Sequence, residues 1–142
     1  MRIFLIIFLF LAIPASKAKA VDRINGPISA EVLRVVDGDT IAVRALIWPG
    51  QRVEVKVRLA GVNAPEMFRP SCEKEREQAL LATEFVTLNI GDQVQLLDIH
   101  LGKYAGRVIA HIQIDNEQDL GKLLLSAGLA YKNKERKSWC EG

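Results

Sequence analysis

Residues 52–59 read RVEVKVRL, and this stretch decides the fold. Apolar side chains take every second position and charged side chains take the positions between them, which is the period of a half-buried β-strand. Two β-rich runs precede it, at 31–36 and 40–46, and the Asp-Gly pair between them indicates a hairpin. A Trp-Pro-Gly turn at 48–50 leads into residues 52–59. The sequence therefore predicts three strands joined by short turns in an antiparallel meander.

The middle of the chain is predicted to hold a loop and then a helix. Two prolines and a glycine mark 61–70 as the loop. Ser71 is expected to cap the helix, with the acidic residues Glu73 and Glu75 in its first turn and Gly91 at its end. Apolar residues recur at helical spacing within it: Leu81, Phe85 and Leu88.

Two further strands and a short helix complete the prediction. The strands are expected at 94–99 and 107–114, and Asp119 is expected to cap a helix that Gly128 ends. The order β-β-β-α-β-β-α favours a mainly β chain with two to three helices (class α+β), built as a small, partly open five-stranded barrel of the OB type. A β-sandwich is less favoured, because sandwiches usually need about seven strands.

Residues 1–20 have the pattern of a secretory signal peptide. Arg2 precedes an apolar run at 3–13, and the small-x-small ending predicts cleavage after Ala20. A membrane anchor is the alternative, but a span needs about 20 apolar residues, and Pro14 ends the run too early. We expect residues 21–142 to be a single domain with no membrane span, secreted or kept in a periplasm.

Net charge alone does not predict a polyanionic partner. The whole chain carries +2, from 19 Lys and Arg against 17 Asp and Glu. Three of the basic residues and none of the acidic ones lie in the leader, which leaves 16 against 17 and a charge of −1. The basic tail at 132–142 is expected to be solvated, with a nonspecific nucleic-acid contact as the alternative. Trp48, and Trp139 in this tail, are expected to be packing residues.

The predicted export bears on the redox state of the two cysteines, Cys72 and Cys140. An even pair in an oxidising compartment favours a disulfide, with two unpaired thiols as the alternative. The closed loop would hold about 69 residues, and loop-closure entropy would then contribute about 4 kcal/mol. No zinc site is indicated, because His100 and His111 lie on different segments without ligand spacing.

Three turn segments carry residues that could do chemistry. They read DGDT at 37–40, RLAGVNAPE at 58–66 and KYAGR at 103–107, and each alone is more typical of an ordinary turn. In this order and on this strand pattern, they resemble the staphylococcal-nuclease-like (thermonuclease) family. The strings that carry the resemblance are VDGDT, VRLAGVNAPE, KYAGR and LGKLLLSAGLA, within residues 30–131.

The resemblance implies an OB-type barrel that cleaves phosphodiester bonds of DNA or RNA, typically with Ca²⁺. It implies that Arg58 and Arg107 grip the scissile phosphate, and that Glu66 holds and activates the attacking water. Asp39 and the backbone carbonyl of Ala64 would bind the cation. These residue types suit the task, since the planar guanidinium matches two phosphate oxygens and a carboxylate can take a proton from water.

Some positions depart from the family pattern or are less specific. At Asn63 the family usually has an aspartate that helps to bind the metal; an amide oxygen can still coordinate Ca²⁺ but brings no charge. Weaker metal binding, or a preference for another divalent cation, is therefore a hypothesis. An extra residue before Gly106 leaves the placement of Arg107 open. Lys103 and Tyr104 are candidate nucleic-acid contacts, with a solvated lysine and a packed tyrosine as alternatives.

The leading hypothesis is an exported, divalent-cation-dependent endonuclease with little sequence specificity, acting as a monomer. The alternative is a nucleic-acid-binding module of the same fold whose catalysis is weak or absent because of Asn63. A small exported structural protein whose turns match by chance is the third hypothesis.

Overall fold

The computed structural model describes residues 22–135 and 137–141, so the signal peptide predicted for residues 1–20 lies outside the described residues. The strands are β1 (Arg23–Ile24), β2 (Ile28–Asp37), β3 (Thr40–Trp48), β4 (Gln51–Leu59), β5 (Val62–Asn63), β6 (Gln93–Leu101), β7 (Arg107–Gln113) and β8 (Tyr131–Lys132). The helices are α1 (Glu73–Asn89) and α2 (Leu120–Ser126), and a 3₁₀ turn spans Asp115–Glu117. No helix in the described part of the chain is long and apolar enough to cross a membrane.

Five of the strands form a barrel. β2, β3 and β4 make the predicted antiparallel meander, β6 pairs with β2, and β7 runs parallel to β4. β6 also pairs with β7, and this ladder closes the sheet, so the barrel is closed rather than partly open. The α+β class and the OB-type barrel with two helices are confirmed.

The two-residue strands were not predicted from the sequence. β1 pairs with residues 99–100 of β6, beyond the ladder that β2 makes with residues 93–96, and β5 pairs with β8 in a separate ladder. Neither β5 nor β8 is long enough to show an alternating pattern, and each is a strand only because the other lies beside it. This ladder brings residues 131–132 against the loop that follows β4.

Branched apolar side chains fill the barrel. The largest fully buried ones are Ile41, Val43, Val57, Leu59, Val86, Leu96, Ile112, Leu120 and Leu124. In β4 the predicted alternation holds best near its carboxyl end, where Val57 and Leu59 are buried, whereas Val53 at the other end is exposed. Each fully buried side chain of this size contributes about 1.5–3 kcal/mol through the hydrophobic effect.

Helix α1 begins one residue later than expected. Cys72, not Ser71, is the N-cap residue, and its Sγ accepts a hydrogen bond from the Glu75 N–H at 3.4 Å. The Ser71 N–H instead donates to a Glu75 carboxylate oxygen at 2.6 Å. The helix ends at Asn89, with Ile90 as its C-cap, so Gly91 follows the end of the helix rather than forming it.

Helix α1 packs on the barrel through small side chains. Its buried apolar residues are Ala79, Ala82 and Val86, whereas Leu88, part of the apolar pattern that predicted the helix, is 77% exposed. A Cβ added to Gly38, in the β2–β3 turn, would lie 2.7 Å from the Cβ of Ala82. The helix can approach the turn this closely because both positions are small.

The described side chains of the carboxyl-terminal tail are mostly exposed, as expected, but Trp139 and Cys140 anchor the tail to the domain. A Cys72–Cys140 disulfide joins the start of α1 to the tail, with the two Cα atoms 6.0 Å apart. Trp139 is buried and its ring stacks on Tyr131 at a centroid distance of 4.0 Å. The packing role predicted for Trp139 is therefore confirmed, whereas Trp48 is 71% exposed at the β3–β4 turn, so the same prediction is wrong there.

We expect Gly38→Ala to lower the free energy of unfolding by about 1–3 kcal/mol, because the added methyl group would overpack the contact between the β2–β3 turn and α1. Gly91→Ala is the matched control, since its Cβ would lie 3.6 Å from the nearest atom, in ordinary contact. Urea denaturation followed by circular dichroism measures both. Equal stabilities of the two variants would contradict the close packing described here.

Candidate nucleic-acid cleavage site

A polar cleft of about 460 Å³ opens where the β2–β3 turn, the end of β4 and the β6–β7 turn meet. All six residues predicted for catalysis or cation binding line it: Asp39, Arg58, Asn63, Ala64, Glu66 and Arg107. Asp37, Glu75 and Tyr104 line it as well. Lys103 is not part of the lining and lies with its Nζ 5.8 Å from the Tyr104 ring centroid.

The carboxylate of Asp39 lies at the base of the cleft and is only 5% exposed. Its Oδ1 accepts a hydrogen bond from the Thr40 hydroxyl at 3.0 Å, and its Oδ2 accepts one from the Ala64 N–H at 3.0 Å. Arg58 forms an ion pair with the same carboxylate. A buried charge needs such partners, because burial without them costs several kcal/mol.

Arg58 links Asp39 to the loop that follows β4. Its Nη1 faces Asp39, and its Nη2 donates to the Asn63 amide oxygen at 2.9 Å and to the Val62 carbonyl at 3.3 Å. The strand register explains its position, since Arg58 is the cross-strand partner of Thr40, next to Asp39. The guanidinium therefore orients the amide oxygen of Asn63 in the cleft.

Asp37 is a second carboxylate in the cleft that the sequence analysis did not select. Burial raises the pKa of Asp37, and the negative charge of Asp39 raises it further. Its Oδ1 accepts the Asp39 N–H at 3.0 Å, which stabilises the tight turn. The signal for Asp37 was present in the VDGDT string, which contains both aspartates.

The loop carrying Glu66 is held by a buried glutamate from α1. Glu75 accepts the Glu66 N–H at 3.2 Å and the Ser71 N–H at 2.6 Å, one on each carboxylate oxygen. Glu75 lies in the first turn of α1 as predicted, and it is buried there. Glu66 itself accepts the Phe68 N–H at 2.9 Å through one oxygen. Glu75 is thus a positioning residue for the loop.

Arg107 enters the cleft from the first position of β7. The turn before it is closed by a hydrogen bond from the Gly102 N–H to the Arg107 carbonyl at 3.0 Å, which accommodates the extra residue before Gly106. Its guanidinium carbon lies 5.2 Å from the Tyr104 ring centroid. Within the described residues, its buried Nε has no hydrogen-bond partner. Arg107 lines the cleft, and a guanidinium with an unsatisfied donor is suited to an anionic ligand.

The donor atoms of the cleft suit a hard cation. Carboxylate, amide and carbonyl oxygens come together from Asp37, Asp39, Asn63 and Ala64, and oxygen donors are the ones that Ca²⁺ and Mg²⁺ prefer. Residues 22–135 and 137–141 contain no group of three His, Cys, Asp or Glu side chains arranged to hold a metal.

Both histidines have partners outside the cleft. The Nδ1 of His111 lies 3.0 Å from a carboxylate oxygen of Asp119, which also caps α2 through the Lys122 N–H. The Nδ1 of His100 lies 3.0 Å from the Asp98 carbonyl oxygen.

The chain matches a known family along most of the cleft-forming sequence. The family model described as staphylococcal nuclease homologue (SNase) matches residues 56–141. This range includes Arg58, Asn63, Glu66 and Arg107 and begins after Asp39. A comparison with curated proteins found no match.

We expect the effects of Asp39→Ala and Arg58→Ala on the free energy of unfolding to be strongly coupled. Each single substitution leaves a partly buried partner uncompensated, so the double-mutant cycle should give a coupling of about 2 kcal/mol. The exposed pair Arg44 and Glu54, 2.7 Å apart, is the matched control and should give less than about 0.5 kcal/mol. Urea denaturation at neutral pH measures both cycles, and equal couplings would contradict the role given to Asp39.

Proposed function

Because the chain belongs to the staphylococcal nuclease homologue family, we propose that it is a divalent-cation-dependent nuclease that hydrolyses phosphodiester bonds of DNA or RNA. Members of the family are generally nucleases, typically dependent on Ca²⁺, and the fold is one that binds nucleic acid. The observation that carries the proposal is the shared cleft: a buried carboxylate, two arginines and a loop glutamate line one polar cavity.

In this proposal Arg107 binds the phosphate that is cleaved. Its buried Nε lacks a partner among the described residues, and the fork of its guanidinium can donate to two phosphate oxygens at once. Negative charge on these oxygens grows as water attacks phosphorus, so the donors stabilise the transition state more than the ground state. Arg58 adds positive charge beside Arg107 while its Nη atoms hold Asp39 and Asn63.

Glu66 acts on the attacking water in the same proposal. One of its oxygens accepts the Phe68 N–H, and the other remains able to accept a proton from a water molecule in the cleft. Glu75 fixes the backbone of this residue, so the carboxylate keeps its place while the loop around it carries no regular structure. Positioning of this kind matters, because a shift of about 1 Å can lower a rate by about 100-fold.

Asp37, Asp39, Asn63 and the Ala64 carbonyl would hold the divalent cation. When bound, the cation supplies positive charge that stabilises the developing charge on the phosphate. Its charge would also lower the electrostatic cost of holding Asp37 and Asp39 in one cleft.

The proposal includes export to an oxidising compartment, as a secreted or periplasmic protein. The signal-peptide pattern of residues 1–20 supports it, and so does the Cys72–Cys140 disulfide, because stable disulfides form in such compartments.

A second candidate function is nucleic-acid binding without efficient cleavage. Asn63 favours it, since a neutral amide stands where the family usually has a metal-binding aspartate, and its oxygen already accepts from Arg58. This candidate predicts that nucleic acid is retained but not cut.

We expect the purified protein to cleave single- or double-stranded DNA or RNA with Ca²⁺ and to lose this activity in EDTA. Glu66→Gln and Arg107→Ala should each lower kcat by about 100-fold to 10,000-fold, because each removes a transition-state contact. Glu73→Gln, an exposed change on α1, is the control and should retain activity. Gel analysis of products measures this; retention without cleavage would favour the binding module, and cleavage in EDTA would contradict the mechanism.

We expect Asn63→Asp to lower the Ca²⁺ concentration needed for half-maximal activity by about tenfold, because an added carboxylate raises the charge of the cation site. Aspartate can still accept the hydrogen bond from Arg58. Asn133→Asp, which adds the same charge at an exposed position outside the cleft, should leave the Ca²⁺ dependence unchanged. An unchanged dependence in both variants would contradict the participation of Asn63 in cation binding.

A further inference from the structure

A second cavity, of about 560 Å³, lies on the outer face of the barrel. Tyr104 and Arg107 line both this cavity and the cleft, so the two adjoin at these residues. The second cavity, called here the outer groove, is also lined by Arg34, Ala42 and Lys56. Asp39 and Glu66 line the cleft but not the outer groove.

The register of the sheet places the basic residues of the outer groove in one row. Arg34 is the cross-strand partner of Ala42, Ala42 of Lys56, and Lys56 of Arg107. Directly opposed residues lie on the same face, and neighbouring strands are about 4.8 Å apart, so the row spans about 14 Å. Ala42 is small, which keeps the floor of the groove low between Arg34 and Lys56.

The positive charge of this row is not neutralised by the protein. Arg34, Lys56 and Arg107 form no ion pair with any carboxylate of the part of the chain that the structure describes. The next row on the same face is different, because Arg44 pairs with Glu31 at 3.1 Å and with Glu54 at 2.7 Å. Glu54 also lines the outer groove, and it shares the guanidinium of Arg44 with Glu31, so the negative charge near the groove is offset only in part. The groove therefore offers a line of cations to an anionic ligand.

An exposed aromatic ring lies where the groove meets the cleft. Tyr104 is 62% exposed, and its ring is within cation–π distance of Arg107. An exposed ring held against a phosphate-binding arginine can stack with a nucleobase that is not paired. The outer groove therefore offers cations for backbone phosphates and, where it meets the cleft, a ring on which a base can stack. These features fit a single polynucleotide strand.

We propose that the outer groove binds the unpaired strand on one side of the phosphate held in the cleft, with Arg34 and Lys56 each contacting one further backbone phosphate and Tyr104 stacking with a base. This inference rests on the proposed nuclease function, because Arg107 marks the reacting phosphate. Arg34 and Lys56 lie outside the cleft, so they govern the length of strand that is bound and not the chemical step.

The test compares a dinucleotide with an eight-nucleotide DNA strand as substrates of the Arg34→Ala/Lys56→Ala double variant. We expect kcat/KM for the longer strand to fall by about 10-fold to 100-fold, and the value for the dinucleotide to stay within about twofold of the wild type. Lys74→Ala/Arg76→Ala is the matched control: it removes the same charge from α1, away from both cavities, and should change neither value. The proposal would be overturned if kcat/KM fell equally for both substrates. It would also be overturned if kcat/KM for the longer strand fell no further in the double variant than in the control.

Binding of the same strand in EDTA, followed by fluorescence anisotropy, separates this proposal from the nuclease function. The dependence of log Kd on log salt should be shallower by about 1.4 in the double variant, since two phosphate contacts are lost. If the wild type cleaves nothing but binds the strand through Arg34 and Lys56, the nuclease function fails and the groove stands. If the wild type binds no strand, or a duplex depends equally on these residues, the groove proposal fails.

Discussion

The buried carboxylate of Asp39 is the interaction on which the rest of the cleft depends. It joins the β2–β3 turn to β4 through Arg58 and to the following loop through the Ala64 N–H. Thr40 satisfies a further acceptor position. Because burying a carboxylate without such contacts is costly, the β2–β3 turn, the end of β4 and the loop that follows it must adopt one arrangement. The same arrangement brings Asn63 and Glu66 to the mouth of the cavity.

Much of the barrel could be predicted because its central strands are half-buried. The alternation in 52–59 and the turn signals at 37–39 and 48–50 specified β2, β3 and β4 within a few residues. Local pattern could not specify the parallel pairing of β4 with β7 or the β5–β8 ladder, which arise from long-range contacts. The buried face of α1 was also hidden, because it is made of alanines that carry little hydropathy, while Leu88 faces solvent.

The sequence predicted which residues line the cleft better than it predicted which of them contact one another. Three short strings pointed to Asp39, Arg58, Glu66 and Arg107, and the fold brings these residues to one cavity. The positioning role of Glu75 was missed, because an acid at a helix start is usually explained by the helix dipole, and only the path of the loop buries it. The row from Arg34 to Arg107 needs the register of four strands, which no segment contains by itself.

The parallel ladder between β4 and β7 has a consequence for the order in which the molecule can form. A parallel pair needs a long crossover connection, and here that connection contains α1 and β6. Contacts this distant in sequence are slow to form. During synthesis from the amino terminus, Asp39, Arg58 and Glu66 are made well before Arg107, and the strand that partners Asn63 comes later still. A nascent or truncated chain that ends before β7 therefore carries every residue that lines the cleft except Arg107, and it lacks the strand that closes the barrel.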